Sequence, residues 1–340
     1  MSLTMLSNMT RASLLLSLGL TLKHIEATDY PGGWEPNFHQ CVDICAHASP
    51  DPICPTQDPP CLAKKQRPED YDFLVMEQIF LPQLCRDLLA GVDLTLSHRN
   101  VNKFPHGIAC DPLKAVSKLS IHGLWPNYNA GFPACCNVSK TIRNVPFNPW
   151  AFAAESAELL KDMDDVWRDP TEPSGFQSLC GLYNHEFQKH GLCYAANGGK
   201  DFDLSAEEYF RAVIRAAAVN EAARLTIEQW ASRSDPKTTR SAITSLYKTR
   251  VNILCSAVAP AFGGELGNSF AAIHVCFSKP SHASARLTPI DCNYPVRSPF
   301  FIPCSAEVPI TLAKYVSPQN VTRTALQTKT EGTGVEYDWK

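Results

Sequence analysis

The chain has 340 residues, 44% of them hydrophobic, enough for one large domain or two small ones with a substantial core. Its 31 Lys and Arg against 34 Asp and Glu leave a net charge of −3 and a pI near 6.4. That balance argues against a tight, non-specific nucleic-acid binder built on a basic stripe, but not against an enzyme touching a phosphate or two. The 14 cysteines favour a disulfide framework formed in an oxidising compartment. Zinc ligation by Cys41, Cys45, Cys54 and Cys61 is the rival reading; the chain contains no C-x2-C pair to support it.

In chain order, residues 1–27 read as a signal peptide, with Arg11 ahead of the apolar run Ala12–Leu22 and a cut near Ala27. The run is too short to span a bilayer, and no other stretch is long and apolar enough. Residues 28–69 form a Cys- and Pro-rich extension, read as irregular, disulfide-stapled and outside the core. Phe73–Ile79 is a strand candidate, and Arg86–Pro112 reads as a long loop. Ile121 and Leu124 fit strand or core positions. Trp150–Trp167 has helical periodicity with Pro149 at its start. Ser205–Ala218 predicts a helix opened by a capping box from Ser205 to Glu208. Glu221–Ala231 and Pro236–Tyr247 read as further helices, and Ile273–Phe277 alternates as a strand. The polar, Thr-rich residues 306–340 read as a poorly ordered tail. Sequons at Asn137 and Asn320 are candidate glycosylation sites, consistent with passage through the secretory pathway.

Two short blocks carry the chemistry. The first, Ser120–Tyr128, reads S-I-H-G-L-W-P-N-Y; the second, His185–Cys193, reads H-E-F-Q-K-H-G-L-C. On a helix, Glu186 and His190 share one face, as do His185 and Lys189. Two histidines on a zinc-binding helix are spaced four apart; here they are five apart, about 140° around an α-helix, which argues against a metal. The bland reading is an exposed charged turn of helix, against which Gly191 and Cys193 suggest a helix end pinned by a disulfide. His122 alone, among apolar neighbours, is as readily a satisfied core histidine as a proton donor. The run Trp125-Pro126-Asn127-Tyr128 tips it toward function, because such side chains stack on and hydrogen-bond an unpaired base. Three histidines, a glutamate and a lysine together suit proton transfer around a phosphodiester, and RNA cleavage is the leading expectation.

Taken together, Ile121–Pro126 and His185–Cys193 resemble the two catalytic segments of the ribonuclease T2 family, in that family's order. Asp72–Cys85 resembles its first strand, Gly131-Phe132-Pro133 with Cys136 the G-Y-P…C that follows the first segment, and Glu208-Tyr209-Phe210 the opening of its next helix. The likeness extends over roughly residues 70–305. It implies an α+β fold, a twisted, mainly antiparallel sheet packed against helices and rich in disulfides. The implied pairs are Cys136–Cys193, Cys85–Cys110, Cys255–Cys304 and Cys276–Cys292, and Cys135–Cys180 is a guess for two of the remainder.

The resemblance also implies roles. His190 is the base that takes the 2′ proton and His122 the acid that protonates the departing 5′ oxygen. Lys189 and Glu186 stabilise the phosphorane, and His185 grips the phosphate. Trp125 and Phe132 are the base-stacking pair, with phenylalanine replacing the commoner tyrosine, and Asn127 stands where some fungal members have aspartate. The product is a 2′,3′-cyclic phosphate, opened to a 3′-phosphate. The expected partner is single-stranded RNA, with no DNA, no membrane, no cofactor and no metal, and the chain is expected to be a monomer. Its expected location is secreted or extracellular, with vacuole or lysosome as the alternative. The competing class is a catalytically silent, cysteine-rich binding or effector protein on the same fold.

Overall fold

The computed structural model describes residues 33–318 except 36–38, 47, 50, 55–57, 93–102, 105–106, 137–147, 195–201, 258–267, 297 and 299. The signal-peptide stretch, both sequons and the last part of the tail therefore lie outside the described residues.

Strand β1, Phe73–Phe80, reads F-L-V-M-E-Q-I-F and is buried along its whole length. A strand apolar on both faces belongs in the middle of a covered sheet. Its neighbours are β2, Leu119–Asn127, on one side and β4, Phe270–Ser278, on the other; β3, Asn252–Ser256, and β6, Phe301–Pro303, continue beyond β4. The short strand β5, Pro289–Ile290, also pairs with β4, and every pairing in this six-stranded sheet is antiparallel. The fold is α+β.

Even-numbered residues of β1 (Leu74, Met76 and Phe80) face the helical layer, where Trp167, Tyr183, Phe187, Tyr209 and Phe210 complete the main core. Those aromatics come from, or lie next to, α4 (Ala157–Val166), α5 (Leu182–Glu186) and α6 (Phe202–Val219). Phe73 and Val75 lie on the opposite face with Cys276, Trp125 and Tyr294. One face of the sheet thus carries the main core, and the other carries two smaller apolar clusters with Glu77 and His274 between them.

Several elements differ from the sequence-based expectation. Helix α2, Leu81–Leu89, occupies the start of the expected loop, with Pro82 in its first turn, where a missing N–H costs nothing. The helical stretch expected from Pro149 to Trp167 is two helices, α3 (Pro149–Glu155) and α4, broken at Ser156. The Asn148 side chain caps the first by accepting from the Trp150 and Ala151 amides. Helix α6 starts at Phe202, which places Ser205 inside it and removes the capping box from its expected place. Only Arg240–Thr244 of the expected Pro236–Tyr247 helix is helical, capped by Thr239, because Lys237–Thr238 pairs as a strand with Ile310–Thr311. That pairing also ties the start of the expected tail to the main body, with Ile310 and Leu312 buried in the main core.

Seven disulfides close, including Cys85–Cys110, Cys136–Cys193, Cys255–Cys304 and Cys276–Cys292. The Cys135–Cys180 pair is not formed. Each of those cysteines joins the N-terminal extension instead, as Cys45–Cys135 and Cys41–Cys180, while Cys54–Cys61 closes a small loop at helix α1, Pro59–Leu62. The extension is accordingly packed against the main body, and Cys41 and Cys61 belong to the main core.

Candidate active site

The first block forms β2, and its central feature is a register shift against β1. Glu77 pairs with Gly123, but the next residue, Gln78, pairs with Ile121, so His122 is the extra residue of a β-bulge. Bulges re-aim side chains. Across this one, the core-facing positions change parity from Leu119 and Ile121 to Leu124, which releases His122 and Trp125 to the polar face. Trp167 holds the bulge in place by donating its indole N–H to the His122 carbonyl at 2.9 Å.

The second block begins as α5 and continues through a π-helical turn, Phe187–Gly191, whose closing bond runs from the Leu192 amide to the Phe187 carbonyl. In such a turn residues five apart take up the relation that residues four apart have in an α-helix. The 140° separation expected of His185 and His190 therefore does not apply, and His185, Glu186, Lys189 and His190 all line one cavity. Gly123 lets the strand meet this helix. A Cβ there would lie 1.9 Å from Glu186 Oε2 and 2.2 Å from Trp125 Nε1.

The cavity has a volume of about 600 Å³. All eight side chains singled out in the sequence line it: His122, Trp125, Asn127, Phe132, His185, Glu186, Lys189 and His190. Within it, the Trp125 indole N–H donates to Glu186 Oε2 at 2.8 Å, and its ring lies 5.0 Å from His122 and 5.3 Å from His190 between centroids. The Asn127 amide donates to the Trp125 carbonyl of its own strand. Phe132 pairs through its backbone with Ile53 of the extension, and its ring centroid is 6.4 Å from that of His190.

Three wall residues carry no signal in the two blocks: Glu77, His274 and Tyr294. Glu77 Oε1 accepts from His122 Nδ1 at 2.6 Å and Oε2 accepts from His274 Nε2, while Tyr294 hydrogen-bonds His274 Nδ1. The available clue is a single ionisable residue within each of two largely apolar strands, F-L-V-M-E-Q-I-F and F-A-A-I-H-V-C-F-S. Buried charges need partners.

The surroundings drive the two imidazoles apart. Burial disfavours the charged form of His122, but the hydrogen bond and charge of Glu77, with Glu186 beyond, outweigh it and raise its pKa. Burial lowers His190 well below the ordinary imidazole range, and the positive charges of Lys189, His185 and His122 lower it further. Glu186 is pushed up to about 7 by burial, against the opposing effects of His122, the Trp125 hydrogen bond and Lys189. Burial would likewise raise Glu77, yet the two imidazole hydrogen bonds hold it at about 2. The partners of Glu186 are thus Trp125 and, at 3.6 Å, His122 Nε2.

An imidazole pushed toward its neutral form, an imidazole pushed toward its protonated form, a carboxyl raised to about 7 and a lysine surround one cavity. Opposed shifts of this kind mark the acid and base of a proton-transfer site. The sequence profile of the Ribonuclease T2 family matches residues 71–292, and the chain belongs to that family. Among characterised relatives, Ribonuclease 1 of Arabidopsis thaliana is 32% identical over 102 residues, covering 30% of this chain and 37% of its own length. Ribonuclease T2 protein rnst-2 of Caenorhabditis elegans is 28% identical over 159 residues, covering 45% and 46% respectively. The chain therefore matches less than half the length of either relative. The crystal structure of human RNase T2 aligns over 73% of this chain and 99% of its own, with 18% identity and a TM-score of 0.44.

Proposed function

We propose that this chain is an endoribonuclease that cleaves single-stranded RNA by acid–base catalysis without a metal, through a 2′,3′-cyclic phosphate to 3′-phosphate ends. The observation that carries the reading is the opposed environment of two imidazoles at one cavity, His190 driven neutral and His122 driven protonated. RNA supplies its own nucleophile. His190 takes the 2′-hydroxyl proton, the oxygen attacks phosphorus, and His122 delivers a proton from Nε2 to the leaving 5′ oxygen. Proton transfers of this kind are worth about 10²–10⁴-fold each. Lys189 and protonated Glu186 meet the charge that develops on the phosphorane oxygens, and His185 holds the phosphate. Water then opens the cyclic ester with the two histidines in exchanged roles. Trp125, Phe132 and Asn127 form the wall against which a base lies. The family membership and the RNase names of the relatives support this chemistry. The cysteine content and the apolar N-terminal run support export, to the outside or to a vacuolar or lysosomal compartment. The working form is a monomer, and neither DNA nor a membrane takes part.

The test is cleavage of yeast RNA and of dinucleoside monophosphates in the presence of EDTA. Cyclic phosphate should appear first and 3′-phosphate later, and His122→Ala and His190→Ala should each lower the rate by at least about 10²-fold with the fold retained. Intact RNA, 5′-phosphate ends, or activity lost in EDTA and restored by a divalent ion would each refute the reading.

A further inference from the structure

The Glu77 carboxylate is 3% exposed and spends both oxygens on imidazoles, His122 on β2 and His274 on β4. The sheet register sets this up, since Glu77 stands opposite His274 on one side and opposite Gly123, beside the bulge, on the other. Valence then assigns the two protons directed at the carboxylate. An ionised carboxylate only accepts, so His122 carries hydrogen on Nδ1 and His274 on Nε2. On its other side, His274 Nδ1 hydrogen-bonds the Tyr294 hydroxyl at 2.5 Å. The Tyr294 ring also stacks on His274, with centroids 6.1 Å apart and planes 6° from parallel. Bonds from Tyr294 through His274 and from His122 thus converge on Glu77, and His122 Nε2 remains directed at Glu186 and the cavity. The core does not need this arrangement. A buried carboxylate with two buried imidazoles carries a desolvation cost that an apolar cross-strand pair would avoid.

We propose that Glu77, itself held by His274 and Tyr294, is the positioning residue of the general acid: it fixes the ring and tautomer of His122 so that Nε2 presents its proton to the leaving oxygen. The proposal rests on the ribonuclease reading above. The charged groups facing His122 are Glu77 from β1 and Glu186 and Lys189 from the helical segment, with His190 across the cavity; those facing Glu77 are His122 and His274.

Glu77→Gln keeps the shape but cannot accept from both imidazoles at once, so one of them must change tautomer. Three readouts separate positioning from mere support. In wild type and variant, NMR titration of the His122 ring should show its pKa falling by about one unit or more when the carboxylate is removed. On a dinucleotide, kcat should fall by about 10²-fold with KM unchanged, and the alkaline limb of the rate profile should move to lower pH. On a uridine 3′-(4-nitrophenyl phosphate), whose leaving group departs without a proton, the loss should shrink to less than about tenfold, because no general acid is required. Tyr294→Phe, a milder change at a half-buried position, should give the same pattern in smaller measure, and it decides the matter if Glu77→Gln does not fold. Equal losses on both substrates, or an unmoved His122 titration, overturn the proposal. If the wild-type protein cleaves neither substrate, the ribonuclease reading has failed, and the titration still decides whether Glu77 governs His122.

Discussion

At the scale of single residues, the site depends on how burial and charge are divided among four ionisable groups. His190 must start neutral, so the acidic limb of the rate profile follows its depressed pKa and lies below the usual imidazole value of about 6.5. His122 must start protonated, so the alkaline limb follows its raised pKa and lies above that value. Glu186 links the two limbs unequally. Above pH 7 it ionises, and its negative charge, 3.6 Å from His122 Nε2, holds the proton on that ring. Glu186→Gln removes this charge, and the pKa of His122 falls. The expected outcome is an alkaline limb displaced to lower pH by about one unit, an acidic limb nearly unmoved, and a lower maximum. A rate–pH profile of kcat/KM on a dinucleotide checks this. Movement of the acidic limb instead would mean that Glu186 governs His190, as the four-residue spacing alone suggests.

At the scale of elements, strand and helix meet at Gly123. An added methyl there collides with Glu186 Oε2 and Trp125 Nε1, two atoms already joined by a hydrogen bond, so neither can yield without breaking it. Gly123→Ala should destabilise the fold by about 1–3 kcal/mol, as overpacking does. It should also lower kcat more than any surface Gly→Ala change, measured by thermal unfolding and turnover together; an unaltered kcat would show that the approach is looser than drawn. The same region shows what can be read from sequence. His122, His185, Glu186, Lys189 and His190 were legible because each motif packs its chemistry into fewer than ten residues, alongside the glycine and cysteine that the geometry requires. Glu77 and His274 were not, since each is the one ionisable residue in a largely apolar strand, and only the sheet register brings them together. The π-helical turn was equally hidden, because nothing in F-Q-K-H-G marks where a backbone bond skips from four residues to five. The break at Ser156 escaped for a related reason: the apolar periodicity continues through it, as Phe152, Leu159 and Met163 are all buried in the one core.

At the scale of the whole molecule, cysteine pairing is a question of topology, which local sequence does not encode. The extension read as peripheral is fastened behind both halves of the site. Cys45–Cys135 lies three residues beyond Phe132, and the Cys135 amide donates to the Lys189 carbonyl. Cys41–Cys180 lies just ahead of α5, and the Val42 carbonyl accepts from the side chains of Asn184 and Gln188, which lie on the segment carrying the histidines. On the cavity side, Ile53 pairs with Phe132, and Gly131, at a φ of +146°, allows the approach because a Cβ there would meet the Ile53 carbonyl at 2.4 Å. The two bridges span 139 and 90 residues, so each restricts the unfolded chain strongly, by up to about 4–5 kcal/mol in a chain-entropy account. Replacing Cys45 and Cys135 together by alanine should therefore cost about 2–5 kcal/mol in denaturant unfolding. Because this bridge anchors the segment that follows Phe132 and hydrogen-bonds the Lys189 carbonyl, KM should rise as well, and more for substrates with a full base than for an abasic ribose phosphate diester. Removing Cys54 and Cys61, whose loop spans only 7 residues, supplies the comparison. Its smaller loop predicts a smaller stability loss, and if the two double variants lose stability and substrate affinity equally, the extension supports the fold generally and has no particular hold on the base-facing wall.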